Sequence, residues 1–252
     1  MGAPKPLPEL DGKLDEARRL LKGARTVTVL TGAGVSAESG LATFRDSGGL
    51  WEKHRVEDVA TMEGFERDPE LVWRFYNARR KAAQTAEPNP AHLALAGLGA
   101  GRKVTVLTQN VDGLHQKAGS DDVVELHGNI WRVRCSRCAA VYADRPVELP
   151  FPPRCERCPG MLRPDVVWFG ELLDPRILAL AEEATVSCDL FLVVGTSAQV
   201  QPAAAFAFRA YDRGIPVVEV NKEPTPVSNL VAVSLIGLAG AILPALVEDR
   251  GN

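Results

Sequence analysis

Four of the five cysteines form two close pairs, Cys135 with Cys138 and Cys155 with Cys158, separated by residues 139–154. Each Cys-x-x-Cys pair can give one metal ion two thiolates, and two pairs complete a tetrahedron. Four sulfur ligands leave no open coordination position, so the pattern predicts one structural zinc ion and chemistry elsewhere. Disulfides and a redox pair are the alternatives. The spacing of the two cysteine pairs favours a metal over both alternatives, and so does the absence of a signal-peptide pattern in the first residues.

A glycine-rich turn, Gly32–Ser36, follows a short β-branched run at residues 27–30. Glycines let the backbone approach a phosphate closely, and the free amides of the next helix can bind the anion. Ala37 replaces the third glycine of the dinucleotide fingerprint, so a plain strand–helix turn remains the alternative. Phe44 and Arg45 follow soon after and supply an aromatic and a guanidinium, which favours a diphosphate–ribose ligand.

Polar residues also stand at the ends of other apolar runs, at 109–115, 195–197 and 221–223. Ligands of open α/β sheets bind beyond the carboxyl ends of strands, so these segments are candidates for one extended site. Asp112 is also explained as a helix cap. His127 ends another run; a lone histidine is usually structural, but this position favours a base that takes a proton near neutral pH.

Short apolar runs alternate with helical stretches, which is typical of a doubly wound parallel sheet in an α/β fold. The predicted strands are 27–30, 104–107, 123–126, 190–194, 217–220 and 231–236, and the predicted helices are 14–22, 90–98, 175–184 and 203–213. A helical insertion at 48–86 and a cysteine- and proline-rich module at 129–165 interrupt this pattern. Zinc rather than a core would hold the second module together. The sheet domain is then residues 1–47, 87–128 and 166–252, with the first ten residues as a loose tail.

The chain has 252 residues, of which 46% are hydrophobic and 24% charged, as in an ordinary soluble protein. Its net charge of −3 implies no bulk attraction to nucleic acid. No uninterrupted apolar stretch is long enough to span a membrane. We expect a cytoplasmic protein, a monomer, with no direct nucleic-acid or membrane partner. The fifth cysteine, Cys188, is expected to be buried and free.

The glycine-rich turn at Gly32, the segment from Gln109 to Asp112, His127 and the two cysteine pairs follow one another along the chain as in the sirtuins. The sequence therefore resembles this family of NAD-dependent protein deacylases. Further matching segments are Thr43-Phe44-Arg45, Arg163-Pro164, Phe169-Gly170-Glu171 and Gly195-Thr196-Ser197. The resemblance covers about residues 25–240, nearly the whole chain. It implies a Rossmann-like domain, a small zinc-ribbon module and a helical module, with NAD and one structural zinc ion as cofactors.

The resemblance also implies the reaction and the roles of residues. Sirtuins release nicotinamide from NAD and transfer the acyl group of an acyl-lysine peptide to ADP-ribose, leaving free lysine. His127 would be the general base on a ribose hydroxyl, and Asn110 a second catalytic residue. The NAD-binding residues would be Gly32, Ala33, Gly34, Ser36, Thr43, Phe44, Arg45, Trp51, Gln109, Asn110, Asp112, Gly195, Thr196, Ser197, Asn221, Lys222, Glu223 and Ala239. The peptide would lie as an added strand beside Val167, Phe169, Gly170 and Glu171.

One branch of the family handles acidic acyl groups, and this chain has its marks. Residues 40–42 read Gly-Leu-Ala instead of the commoner Gly-Ile-Pro, and the branch marker Tyr-x-x-Arg occurs as Tyr76 and Arg79. Residues three apart share a helix face, so Arg79 can bind a carboxylate bidentately while Tyr76 donates a hydrogen bond. Ala60 would leave room for a longer acyl chain. Ordinary helix charge and packing are the alternative.

We therefore expect a lysine desuccinylase and demalonylase that keeps some deacetylase activity. A mono-ADP-ribosyltransferase would use the same NAD site, but it has no need for Tyr76 and Arg79. A catalytically silent NAD or ADP-ribose sensor would have no need for His127 and Asn110. Nicotinamide release with an acylated peptide distinguishes an active deacylase from the sensor.

Overall fold

The structure is a computed structural model that describes residues 8–42, 50–51, 54–143, 147–149 and 151–248. The helices are α1 Pro8–Gly23, α2 Ala33–Ala37, α3 Val56–Val59, α4 Met62–Arg67, α5 Pro69–Thr85, α6 Pro90–Leu98, α7 Leu114–Lys117, α8 Pro175–Ser187, α9 Ala205–Asp212 and α10 Ala239–Val247. The strands are β1 Thr26–Thr31, β2 Leu50–Trp51, β3 His54–Arg55, β4 Lys103–Thr108, β5 Asp122–Glu125, β6 Gly128–Cys135, β7 Val141–Tyr142, β8 Leu162–Val166, β9 Leu190–Val194, β10 Val217–Asn221 and β11 Val233–Ile236.

A six-stranded parallel sheet in the order β11-β10-β9-β1-β4-β5 forms the centre of the protein. From β1 the chain builds outward to β4 and β5, then returns to the other side of β1 and builds outward through β9, β10 and β11. The order therefore reverses between β1 and β9, where Thr31 pairs with Val194. In α/β sheets, ligands bind in a crevice beyond the carboxyl ends of the strands at such a reversal.

Helices cover both faces of this sheet. Successive side chains of a strand point to opposite faces, so Val29 packs with α1, α6 and α10, while Leu30 packs with α8 and α9. The inner strand β9 is consequently apolar and buried on both sides along its whole length, as its apolar run in the sequence indicated. The predicted α/β class and doubly wound sheet are confirmed.

The zinc-ribbon sheet, β7-β6-β8, is antiparallel and shares an apolar core with the helical insertion. Trp73 and Tyr76 of α5 pack with Ile130 and Val133 of β6 in this core. Arg80, fully buried on the same helix, donates to the carbonyl of Ile130 over 2.6 Å. The prediction that metal rather than a core holds this segment is therefore wrong in part. The division at 48–86 and 129–165 stays a proposal.

Helix starts follow ordinary capping chemistry. Asp68 accepts the Leu71 amide at the start of α5, and Asn89 forms a reciprocal capping box with His92 at the start of α6. Helix α1 begins at Pro8, so the prediction of a loose tail is wrong for residues 8–10, where Leu10 packs against the core. The rest of that tail lies outside the described residues. Within the described chain, no helix is long and apolar enough to cross a membrane.

Candidate active site and zinc site

The loops after β1 and β9 pack backbone to backbone at the crevice. The Gly34 amide donates to the Gly195 carbonyl over 2.8 Å, and a Cβ at Gly34 would lie 2.7 Å from that oxygen. Gly195 has a φ of +58°, the left-handed region, and a Cβ there would meet the amide nitrogen of Val35 at 2.5 Å. Only glycines allow this approach, so the two loops pack tightly together at the edge of the crevice.

Polar side chains from β1, α2 and the loop after β4 meet in one hydrogen-bonded group. Asn110 donates through Nδ2 to the Gly32 carbonyl over 3.1 Å and to Ser36 Oγ over 3.0 Å. Ser36 Oγ in turn donates to Asp112 Oδ2 over 2.8 Å, and Asp112 Oδ1 accepts the Leu114 amide. Asp112 is thus both a helix-start acceptor and a member of the predicted site. The group fixes the Asn110 side chain at the crevice.

His127 lies between this crevice and the zinc-ribbon sheet. Its Nδ1 lies 3.1 Å from the Gln109 carbonyl oxygen. A carbonyl only accepts, so Nδ1 carries the hydrogen and Nε2 keeps its lone pair. Burial lowers the pKa of His127 below its usual 6.5, against the opposing effect of the bond to Gln109. The side chain is therefore a neutral base with a defined proton-accepting atom.

Residues predicted to hold the second half of NAD surround the carboxyl ends of β9 and β10. Gln109 Nε2 donates to Thr196 Oγ1 over 2.8 Å, and Asn221 Nδ2 donates to the carbonyls of Thr196 and Glu223, each over 3.1 Å. Ser197 is half-buried beside Thr196, and Lys222 is exposed. These contacts bring the three strand ends together as the sequence predicted.

Ala33 and Ala239, both predicted to bind NAD, are each the first residue of a helix. Ala239 is buried at the first position of α10, and the next amide, Gly240, donates to Glu38 Oε1 over 2.8 Å. Ala33 is the first residue of α2. Thr43, Phe44 and Arg45 lie outside the described residues. Trp51 lies in β2, and its side chain is likewise outside the description.

A buried carboxylate secures the loop that follows Asn221. Glu219 is fully buried on β10 and accepts hydroxyl hydrogens from Thr225, from Ser228 over 2.5 Å and from Ser234 over 2.7 Å. These three hydroxyl donors replace the hydrogen bonds from water that the carboxylate loses when it is buried. Glu219 thus ties the loop at 222–232 to the sheet, a function that the sequence did not suggest.

The proposed acyl pocket is built from α5, the end of α3 and the segment after β8. Tyr76 is buried, and the indole nitrogen of Trp168 lies 2.9 Å from its hydroxyl oxygen. Burial raises the pKa of Tyr76 to about 12, while the nearby charge of Arg79 opposes the shift. Ala60 is buried, and its carbonyl accepts the Phe169 amide over 3.0 Å. Ala60 and Tyr76 therefore belong to one buried cluster, and the charge of Arg79 acts on the Tyr76 hydroxyl.

The predicted peptide-binding segment begins at Val167, directly after strand β8. The Val167 amide donates to the His127 carbonyl over 2.9 Å, so the segment is attached to the candidate base. Phe169 is 48% exposed, and Gly170 has a φ of +85°. The carboxylate of Glu171 is already bound by Arg163 at 2.6 and 2.8 Å. The Glu171 side chain is thus held within the protein, and the added strand that the sequence predicts at this segment would use the backbone.

Two histidines, His92 and His115, are buried behind the crevice. His92 and His115 lie with ring centroids 4.9 Å apart. His115 Nε2 is 3.0 Å from Thr31 Oγ1, and His92 Nε2 is 3.5 Å from Ser36 Oγ. Burial lowers the pKa of His115 to about 3, helped by the charge of His92, and burial also lowers the pKa of His92, which Asp112 opposes. Helix packing, invisible in the sequence, buries this pair.

This pair makes the fold sensitive to acid. His115 has a lower pKa in the folded chain than the usual 6.5, so its stabilisation is present above pH 6.5 and is lost as the pH falls toward 3. The free energy of unfolding should then fall by about 1.4 kcal/mol per pH unit for this one proton. Urea unfolding of wild type and His115→Gln between pH 7 and pH 5 measures the difference in slope. Zinc loss affects both proteins alike, and parallel pH profiles would contradict the assignment.

The four paired cysteines converge as predicted. Their sulfur atoms all lie within 4.8 Å of one another, with 3.5 Å between Cys135 and Cys158 and 3.7 Å between Cys138 and Cys155. A tetrahedral zinc ion with bonds of about 2.3 Å needs sulfur atoms about 3.8 Å apart, so the donors fit. Backbone amides of Arg137, Cys138, Arg157 and Gly160 point at the sulfurs at 3.3–3.4 Å and stabilise thiolates.

Cys188 is buried outside this cluster, and its sulfur donates to the Thr185 carbonyl. The expectation of a buried free cysteine is confirmed. Sequence reasoning missed Trp168 and Glu219 in the site. Trp168 stands inside the matched segment between Arg163 and Glu171, but only the fold brings it to Tyr76.

Comparisons with known proteins agree with this site. The family model described as Sir2 family matches residues 32–202. NAD-dependent protein deacylase 2 of Pyrobaculum aerophilum is 52% identical over 232 residues, covering 91% of this chain and 93% of that protein. NAD-dependent protein deacylase sirtuin-5, mitochondrial, of Danio rerio is 46% identical over 255 residues, covering 89% and 83%.

A solved structure described as a Sir2 homolog–NAD complex superposes with a TM-score of 0.86 at 40% identity, covering 92% of each chain. This chain therefore shares its fold with a protein whose structure was solved in complex with NAD. The chain belongs to the Sir2 family.

Proposed function

We propose that this protein is an NAD-dependent protein-lysine deacylase whose acyl pocket prefers chains that end in a carboxylate. The observation that carries the proposal is the placement of His127. Its ring Nδ1 donates a hydrogen bond to the Gln109 carbonyl at the crevice. Its backbone carbonyl accepts a hydrogen bond from the Val167 amide of the peptide-binding segment. A neutral base therefore stands where the two substrates must meet.

Bound NAD supplies the reactive ribose carbon and releases nicotinamide. The chain's own residues prepare that reaction. His127 Nε2 accepts a proton from a ribose hydroxyl, and the bond from Nδ1 to Gln109 stabilises the imidazolium that results. Asn110, held by Gly32 and Ser36, presents its amide to the ribose side of the crevice. The products are nicotinamide, free lysine and O-acyl-ADP-ribose.

The preference for succinyl and malonyl groups rests on Tyr76 and Arg79. Both residues lie on α5, and the charge of Arg79 acts on the Tyr76 hydroxyl. A carboxylate has two acceptor oxygens, which suits a hydroxyl donor beside a guanidinium. The acetyl group of acetyl-lysine ends in a methyl group, which accepts no hydrogen bond from Tyr76 or Arg79. Ala60 leaves space for the additional carbons.

Arg79→Met tests this preference because methionine keeps much of the stem and removes the charge. The kcat/KM for a succinyl-lysine peptide should fall about 10- to 100-fold, the value of a hydrogen bond to a charged group. The kcat/KM for the same peptide with acetyl-lysine should change little. Arg74→Met is the matched control, since Arg74 is an exposed residue of α5 paired with Glu70.

The outcomes separate the candidate functions. A wild-type preference for acetyl-lysine, unchanged in Arg79→Met, would contradict the carboxylate pocket and leave a plain deacetylase. Transfer of ADP-ribose to a protein without loss of an acyl group would favour the transferase. NAD binding without nicotinamide release would favour a sensor. The cytoplasmic location and monomeric state stay predictions from the sequence.

A further inference from the structure

We propose that Trp168 is a positioning residue that determines acyl specificity by fixing the direction of the Tyr76 hydroxyl hydrogen. This inference rests on the proposed function, because it concerns how the same pocket recognises a terminal carboxylate. It assigns the preference to three residues rather than two.

The donor and acceptor of the Trp168–Tyr76 bond are fixed by chemistry. An indole N–H can only donate, so the Tyr76 oxygen, 2.9 Å away, must accept. Both side chains are only 2% exposed, so water does not compete at this contact. The hydrogen of the tyrosine hydroxyl must then point away from the indole. Trp168 thereby converts a group that can donate or accept into a donor with one direction.

Trp168 is itself held on several sides. The Arg163 guanidinium carbon lies 3.6 Å from the centroid of its ring, a close cation–π contact. The Trp168 amide donates to Glu171 Oε2 over 2.8 Å, and the same carboxylate binds Arg163. Phe65 packs against the indole with centroids 5.3 Å apart. These contacts leave the indole N–H little freedom to turn from Tyr76.

The fixed hydroxyl suits one class of ligand. Burial raises the pKa of Tyr76 to about 12, so the hydroxyl keeps its hydrogen at neutral pH. A donating hydroxyl beside the charge of Arg79 offers hydrogens only, which a carboxylate oxygen accepts and a methyl group cannot. Succinyl, malonyl and glutaryl chains end in such a group. Trp168 should therefore matter for these substrates and hardly at all for acetyl-lysine.

Trp168→Phe removes the indole N–H and keeps an aromatic ring. We expect the ratio of kcat/KM for succinyl- to acetyl-lysine peptide to fall about tenfold, the value of one oriented hydrogen bond. The fall should come from the KM of the succinyl peptide. In a Tyr76→Phe background the same substitution should leave the ratio unchanged, because the hydroxyl through which Trp168 acts is absent.

Trp73→Phe is the matched control. Trp73 is an equally buried tryptophan whose indole donates to the Leu162 carbonyl, so its loss removes a similar bond and leaves the Trp168–Tyr76 bond in place. The succinyl-to-acetyl ratio should stay at the wild-type value. If Trp168→Phe does not fold, benzothienylalanine at position 168, with sulfur in place of N–H, keeps the shape and tests the same bond.

The results distinguish this inference from the proposed function. A wild type that prefers succinyl-lysine, together with a Trp168→Phe protein of the same ratio, would overturn the role of Trp168 alone. An equal fall in the Tyr76→Phe background would assign Trp168 a role of shape and also overturn it. A wild type without succinyl preference would overturn the carboxylate pocket itself, and the inference with it.

Discussion

His127→Asn is expected to lower kcat by about 10²- to 10⁴-fold, the usual contribution of a general base. Asparagine keeps a donor in place of Nδ1, so the bond to the Gln109 carbonyl survives, but it offers no atom that takes a proton at neutral pH. The fold and the NAD crevice should be retained. Steady-state kinetics with an acyl-lysine peptide, together with calorimetric titration of NAD, measure the two properties separately.

The pH dependence gives a second test of the same residue. The base is active when neutral, and burial lowers the pKa of His127 below 6.5, so activity should persist to a more acidic pH than an ordinary histidine would allow. The acid limb of kcat/KM should disappear in His127→Asn. A variant with nearly wild-type kcat, or one that loses NAD binding to the same degree as turnover, would refute the assignment of a base.

Loss of zinc is the second change with a large expected effect. Cys135→Ala removes a buried ligand and leaves three thiolates around the metal, and structural zinc contributes on the order of 10 kcal/mol or more to small sites. The damage should spread, because β6 shares its core with α5, the helix that carries Tyr76 and Arg79. We expect loss of zinc, of the near-ultraviolet circular dichroism of the module and of deacylation.

Cys188→Ala is the matched control, since this cysteine is buried outside the cluster. It should keep about one zinc ion per chain and full activity. Metal content by atomic absorption and activity after treatment with a chelator complete the comparison. A zinc-free protein with undiminished activity would exclude a structural role, and activity restored by zinc would support it.

Much of the fold follows from local patterns in the sequence. The run at Leu190–Val194 is β9 itself, and the helix predicted from Pro90 to Leu98 is α6. Apolar β-branched runs and proline at a helix start leave few local alternatives, which is why these boundaries agree. The start of α1 was harder to predict. The helix begins before the predicted Leu14 because Leu10 packs against the hydrophobic core, and this tertiary contact, not local preference, stabilises the first turn.

The predicted site shows the same division. The spacing of the four cysteines predicted the zinc site, and the resemblance to sirtuins predicted His127 and Asn110 as catalytic residues. They did not show that Gln109 fixes the histidine tautomer through its carbonyl, since a backbone contact leaves no trace in residue type. They also did not show that the Glu171 carboxylate is bound by Arg163.

Residue types and their order along the chain were enough to predict a glycine-rich turn for phosphate, a base, four metal ligands and a tyrosine–arginine pair. Which of these groups contact one another is visible only in the folded chain. Trp168 is 92 residues from Tyr76 along the chain and bonds to it directly. Such pairs depend on how β8 and α5 pack into one core, and packing over long sequence separations is set by the sum of many weak contacts rather than by any local pattern.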